Sequence, residues 1–304
     1  MLVVNDFLPH SDISLFDTPE FFRLHQGDSD GFYFQWVKKG RALAGVHFTG
    51  AGDGRFMSPR RGTFGGLFFG SDFESKDLSQ MMIAVIDHLK QAGASSVHVA
   101  MAPEWHDPRA FAVQFYVLNA LGFKVSKCDL DFGRRLAAAP FLASTSADIR
   151  RRNSCEKAEE VEVRRVEDRE FAAIYSFIAE QHLLKGYPIS MTLEQLEKMR
   201  NLFPGRISAY AAQRNDELIA AAICIQIRES MQHIFLMNNK SDNAMYNAVA
   251  LVVQRIYEDC LSDEISKLSY GTATADRVAN DGLIRFKRSL GFIESLKISV
   301  SLTI

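Results

Sequence analysis

Cysteine is scarce in this chain. Four stand among 304 residues, at 128, 155, 224 and 260, with no Cys-x-x-Cys and no histidine at ligand spacing. That argues against a zinc site or a disulfide framework and fits reduced thiols. Charge of one sign is not in excess either: 35 Lys and Arg stand against 37 Asp and Glu, a formal net charge of −2. A bulk field for nucleic acid or an anionic membrane is therefore missing, and such a partner would need a local basic face. No apolar run approaches the ~20 residues of a membrane span. Residues 1–10 have no basic n-region, and their apolar start breaks at Asn5-Asp6, so they do not read as a signal peptide. The expected location is the cytoplasm.

What is there is the balance of an ordinary globular protein, 47% hydrophobic and 24% charged, at a length that admits two domains. Residues 137–148 carry small residues and Pro140 without a helical or strand period, so they read as a linker. The expected domains are 1–140 and 141–304.

In the second half, the pattern predicts a helix over 149–158 capped by Asp148, a strand over 161–166, and helices from 171 and over 192–202. Thr192 caps the last of these and Pro204-Gly205 stops it. Strands follow over 207–213, 217–228 and 231–237, the first two joined by Arg214-Asn215-Asp216. A helix over 244–260, a strand over 265–270, a helix over 281–290 and a strand over 292–303 complete the chain. The first half repeats part of this order. Strands are expected over 32–37, 42–48 and 63–69, then a helix over 78–91, a strand over 96–101, a helix over 109–121 and a strand over 123–132. Residues 12–30 could hold one further helix. Leu121-Gly122-Phe123 and Leu290-Gly291-Phe292 each carry a helix into a long strand. The recurrence reads as a diverged internal duplication.

The order strand, two helices, three strands, helix, strand, helix, strand, closed through Leu-Gly-Phe, resembles the GNAT acyltransferases. The doubling, with Gly282, Leu283, Phe286, Lys287, Leu290 and Gly291 in their spacing, resembles the FemAB-like branch. That branch includes enzymes that move amino acids from aminoacyl-tRNA onto peptidoglycan precursors. The resemblance implies an α/β (α+β) fold of two tandem GNAT-like domains, each a twisted mixed sheet flanked by helices. It implies transfer of an acyl or aminoacyl group from acyl-CoA or aminoacyl-tRNA to an amine on a small molecule or peptide, with tRNA as a partner. No metal or redox cofactor is implied, and nothing sets the oligomeric state. In such folds the strands flanking the third helix part to admit the donor. The resemblance further places Phe286 and Lys287 on the reaction channel, with the Lys287 ammonium at the oxyanion. The plain alternative for Lys287 is a surface lysine between Arg285 and Arg288.

One departure stands out. Where GNAT members carry a glycine-rich phosphate loop, residues 236–246 have no glycine, and the first-half equivalent, 69–77, has one glycine and three acids. Acids there repel phosphate. Weaker candidates for substrate contact are Lys185 and Tyr187, beside Gly186 and Pro188, and Asn238 at the end of the third strand. Arg60 and Arg61, among the glycines of 62–66, are further candidates, and a turn or solvated loop explains each of these sites as well. His233 reads as a satisfied core histidine, Arg150–Arg152 as a solvated face, and Asp107 as a cap before Pro108. Two rivals to the transferase reading are a GNAT-derived binding protein without turnover and an N-acetyltransferase with an irregular CoA loop.

Overall fold

A computed structural model describes residues 1–10, 13–27, 29–275 and 278–304, with side chains at all of these except 242–244 and 275. They form two compact units. Unit 1 comprises residues 1–131, 274–279 and 295–304, and unit 2 comprises 132–273 and 280–294.

Unit 1 begins with β1 (Leu2–Val4), α1 (Pro19–Gln26), β2 (Gly31–Lys38), β3 (Arg41–Gly50), β4 (Arg55–Ser58) and β5 (Phe68–Phe69). It continues with α2 (Ser75–Gln91), β6 (Ser96–Ala100), α3 (Pro108–Ala120) and β7 (Lys124–Arg135), whose last four residues lie in unit 2. β1, β2, β3 and β4 pair antiparallel in that order, and β4 runs parallel to β6. α2 turns Leu78, Met81, Met82, Val85, Ile86 and Leu89 inward, a period of three to four that lays one apolar stripe against Phe34, Phe48, Val97 and Val99.

Unit 2 holds α4 (Ala147–Asn153), α5 (Glu156–Glu159), β8 (Glu162–Arg165), α6 (Phe171–Leu184), α7 (Leu193–Leu202), β9 (Ile207–Arg214), β10 (Glu217–Arg228) and β11 (Met231–Asn239). It also holds α8 (Ala248–Ser262), β12 (Lys267–Thr272) and, past the short strands β13 (Thr274–Ala275) and β14 (Val278–Ala279) of unit 1, α9 (Asp281–Ser289). β8, β9, β10 and β11 are antiparallel neighbours, and β11 pairs in parallel with β12. The last strand, β15 (Ile293–Thr303), belongs from residue 295 to unit 1, where Ser299–Thr303 pair antiparallel with β6. The units thus interleave along the sequence.

Turn chemistry follows the sequence closely. Asn215 and Asp216 both take positive φ between β9 and β10, and Thr192 and Gln195 cap α7 reciprocally. Three expectations are corrected. The helix over 149–158 is two short helices, and Ser146, not Asp148, is the cap, its hydroxyl accepting from the Ile149 N–H. Asp148 instead sits in the first turn and pairs with Arg151 at 2.8 Å. The strand over 63–69 shrinks to β5, because Gly62 and Gly66 take positive φ, and the strand that pairs with β3 and β6 is β4. α8 starts at Ala248, after a 3-10 turn over Ser241–Tyr246 and a left-handed Asn247.

Unit 1 also buries His47, whose Nε2 lies 2.9 Å from the Phe16 carbonyl. Burial pulls its pKa from 6.5 down to about 4. The unfolded chain therefore takes up a proton near pH 6.5 that the folded unit refuses until about 4. Stability is expected to fall as pH drops through that window, by up to ~1.4 kcal/mol per pH unit from this group. Melting temperatures recorded from pH 7 to 4 check it, and His47→Gln should flatten the profile in part, because burial lowers the His25 pKa to about 4 as well.

Candidate active site

The parallel pair β11 and β12 separates soon after it forms. Its partners are Met231 with Lys267, Gln232 with Leu268 and His233 with Ser269, although β11 runs on to Asn239 and β12 to Thr272. Two local features part the strands. The β10–β11 ladder shifts between Ile223–Leu236 and Cys224–Ile234, leaving Phe235 as an extra residue that bends β11. On β12, Gly271 has φ +65°, a left-handed residue that bends the strand one residue before its end. At the apex of the fork, buried His233 and Ser269 meet, Nδ1 to Oγ, at 2.9 Å. Beyond the apex the Tyr270 hydroxyl donates to Met237 Sδ at 3.0 Å.

The parallel pair in unit 1 behaves differently. β4 and β6 stay in register from Arg55–Ser96 to Ser58–Val99, and the Gly65 N–H then donates to the Ala100 carbonyl at 2.8 Å. Among the described residues, the opened parallel pair is the one in unit 2.

Opening a strand leaves carbonyls without ladder partners, and buried carbonyls need donors. The turn at Gly271 aims three successive carbonyls at one point, and Lys287 Nζ fills it. It donates to Tyr270 O at 2.7 Å, Gly271 O at 2.8 Å and Thr272 O at 3.0 Å. The ammonium lies 4.7 Å from the Tyr270 ring centroid and 5.2 Å from that of Phe132. Lys287 is 2% exposed, so it is not a surface lysine; Ile284 shares its buried face of α9, while Arg285 and Arg288 face out. Three ammonium protons meet three carbonyls. Lys287 therefore acts here as the clamp on the end of β12, with its charge held beside the fork.

A second lysine closes the other arm. Lys185, just past α6, donates to Asn238 Oδ1 at 2.6 Å and to the Asn239 carbonyl at 2.8 Å, and burial lowers its pKa. Two residues that sequence reasoning singled out separately, Lys185 and Asn238, thus meet directly. Tyr187 is 53% exposed, its ring edge-on to His182. Phe286 is half-buried on α9. Arg60 and Arg61 belong to unit 1, where Arg60 donates to the Ser29 hydroxyl and Arg61 is exposed. Sequence reasoning missed Ser269, Tyr270 and Gly271, although a glycine inside a strand pattern is itself a sign of a bend. The bulge at Phe235 left no such sign.

A CoA diphosphate would need backbone N–H groups offered by a permissive loop at a helix start. Before α8 the chain offers instead the glycine-free 3-10 turn and a buried Asn247, which donates from Nδ2 to Asn153 Oδ1. Before α2 stand Asp72 and Glu74, with Asp77 in the first turn. Neither place fits the diphosphate.

No protein-family model and no curated protein sequence matches this chain. Solved structures do. The crystal structure of FemX is similar at 10% identity with a TM-score of 0.70, over 97% of this chain and 93% of that one. A tandem GNAT protein from the clavulanic acid biosynthesis pathway is similar at 11% identity and a TM-score of 0.57, over 94% and 87%. L-PGS from Bacillus licheniformis is similar at 14% identity and a TM-score of 0.57, over 90% and 84%. The fold is the mixed α/β GNAT type in its tandem, FemX-like form. Among the described residues, no helix is long and apolar enough to cross a membrane.

Proposed function

We propose that this chain transfers an acyl or aminoacyl group from an activated ester to an amine, with the donor carbonyl seated in the fork of unit 2. The supporting observation is that β11 and β12 part after His233 and Ser269 while Lys287 fixes the freed end of β12. The similarity in fold to FemX, to L-PGS and to a tandem GNAT protein supports a group-transfer reading. The poor fit of both loop segments to a CoA diphosphate favours an aminoacyl-tRNA ester over acyl-CoA. The run Arg150–Arg152 offers local cations for the phosphates of such a donor.

In the reaction the amine nitrogen attacks the ester carbonyl, a C–N bond forms, the C–O bond to the ribose breaks, and the amine proton leaves with the departing oxygen. The donor is already activated, so placement and charge supply most of the acceleration. β11 beyond His233 has no backbone ladder partner on β12 among the described residues, and its backbone N–H groups on that side suit the developing oxyanion. The Lys287 charge adds to that potential from behind the β12 carbonyls.

The test is direct. Incubated with aminoacyl-tRNA carrying a labelled amino acid and a panel of amines, the purified chain should yield labelled amide, and more of it than from acyl-CoA. Binding without turnover is favoured by one feature, the full engagement of the three Lys287 protons. Saturable donor binding with no labelled product would establish that reading instead.

A further inference from the structure

A cavity of about 440 Å³ lies in unit 2 beside the start of β9, and transfer at the fork leaves it without a role. It is bounded by the end of β8, the start of α6, the second half of α7 and residues 207–209 of β9. Ile207 stands level with Ile225 on β10, and Ile225 with His233 on β11. The cavity lies along the far edge of β9. The step from β9 across β10 to β11 is ~10 Å, so this is a place apart from the fork.

The edge of β9 there carries backbone groups that the sheet does not use. Along an antiparallel strand, successive residues turn their N–H and C=O to alternate sides. The Gln226 N–H donates to the Arg206 carbonyl at 2.7 Å, so Arg206 and Ser208 face β10. Ile207 and Ala209 then face the side of β8, and the Val166 N–H donates to the Ala209 carbonyl at 2.9 Å. There the pairing stops. A longer β8 would set Asp168 opposite Ile207, but Asp168 opens a 3-10 turn that Glu167 and Glu170 cap reciprocally. Among the described residues, the Ala209 N–H and both backbone groups of Ile207 are left without partners. Ala209 is 2% exposed and Ile207 8%, and buried backbone groups call for partners. Two donors and one acceptor therefore face the cavity at the spacing of a strand.

Charge narrows the occupant. On the cavity wall Arg200 pairs with Asp168, Arg165 lies 3.5 Å from Asp263, and Glu167 lies 3.0 Å from Arg169. Glu197, exposed on the same wall, has no ion-pair partner among the described residues. We infer that this cavity binds a short, extended peptide segment with a positively charged side chain, added along β9 where β8 stops. The peptide N–H donates to the Ile207 carbonyl, its carbonyls accept from the Ile207 and Ala209 N–H groups, and its cation meets Glu197. A strand edge recognises backbone through such bonds, and the side-chain contact supplies the selection. The inference does not rest on transfer at the fork, because peptide binding is read with no acyl donor present.

The test titrates the unaltered chain by calorimetry with three blocked tripeptides: one with a central lysine, one with a central glutamate, and the lysine peptide with its backbone amides N-methylated. The lysine peptide should bind saturably with Kd of ~1 mM or tighter. The other two should each bind at least about tenfold more weakly, a difference of ~1.4 kcal/mol. Glu197→Gln changes an exposed side chain and should abolish the preference for lysine over glutamate while melting stays the same. Hydrogen exchange with the lysine peptide bound should slow over 207–209 and stay unchanged over 234–239. Four results would each overturn the site: no saturable binding, equal binding of the N-methylated peptide, a lysine preference that survives Glu197→Gln, or protection that spares 207–209. A cavity that holds water alone gives the first of these.

Discussion

Replacing Lys287 by methionine is expected to cut turnover by about ten- to a thousandfold, the range for losing one preorganised electrostatic contribution. The sequence alone would make this a change with little effect on folding. Burial changes that. Methionine leaves the carbonyls of Tyr270, Gly271 and Thr272 without their donor. Each buried acceptor left unsatisfied costs ~1–3 kcal/mol, offset in part where water can reach it. The melting temperature of unit 2 should therefore fall as well, and rates must be compared well below the transition.

Lys287→Arg separates charge from geometry. A guanidinium keeps the charge but is planar, and it cannot aim three protons at three converging carbonyls as an ammonium does. If the clamp matters, arginine should restore little of the lost kcat. Full activity in the arginine variant would reduce Lys287 to a source of charge, and full activity in the methionine variant would remove it from the mechanism. Gly271 belongs to the same device, since without its left-handed turn the three carbonyls would not converge.

The largest loss of stability is expected from Gly291→Val. Gly291 has φ +80°, and a Cβ there would sit 2.6 Å from the Ser144 carbonyl oxygen and 3.1 Å from Arg134 Nη1. Arg134 is itself buried. It donates to Leu290 O at 2.7 Å and also to the Ser144 hydroxyl, and it lies over the Tyr257 ring at 4.5 Å. A β-branched residue in the left-handed region costs ~1–2 kcal/mol, and overpacking adds ~1–3 kcal/mol. Together these approach the whole stability of a marginal unit.

Gly122 supplies the control, because it stands in the other Leu-Gly-Phe and has φ +93°. A Cβ at Gly122 would meet only Leu302 Cδ1, at 3.6 Å. Gly122→Ala should thus cost the backbone strain alone, about 1 kcal/mol, and clearly less than Gly291→Ala. Denaturant midpoints for the pair check this. Equal losses would mean that the packing around Gly291 is not what makes it intolerant.

That pair also marks how far the sequence could be read. The two Leu-Gly-Phe turns announced their helices and strands because an apolar period, a positive-φ glycine and a second period are local signals. The same holds for Thr192 with Gln195 and for Asn215-Asp216. The surroundings of the two glycines are set by residues far away in the chain, Ser144 and Arg134 in one case and Leu302 in the other. No local pattern carries that. For the same reason Lys287 was found as a residue but not in its role, since its partners are backbone carbonyls that become available only when β12 turns at Gly271. The meeting of Lys185 with Asn238 spans 53 positions, and each residue looked like an ordinary loop or strand-end residue by itself. The order of elements along unit 2 was legible from periods and turns. The pairing of β15 with β6 was not, because the sequence of a strand records its faces and not its neighbours.

The fork in unit 2 is the claim on which the rest depends, and hydrogen exchange tests it most directly. The exchange of backbone amides is followed by mass spectrometry with and without a non-hydrolysable aminoacyl-tRNA analogue. The account predicts slower exchange over 234–239 and 270–272 when the analogue is bound, with β4 and β6 unchanged. Protection at β4 and β6 instead, or binding that leaves 234–239 and 270–272 untouched, would contradict it.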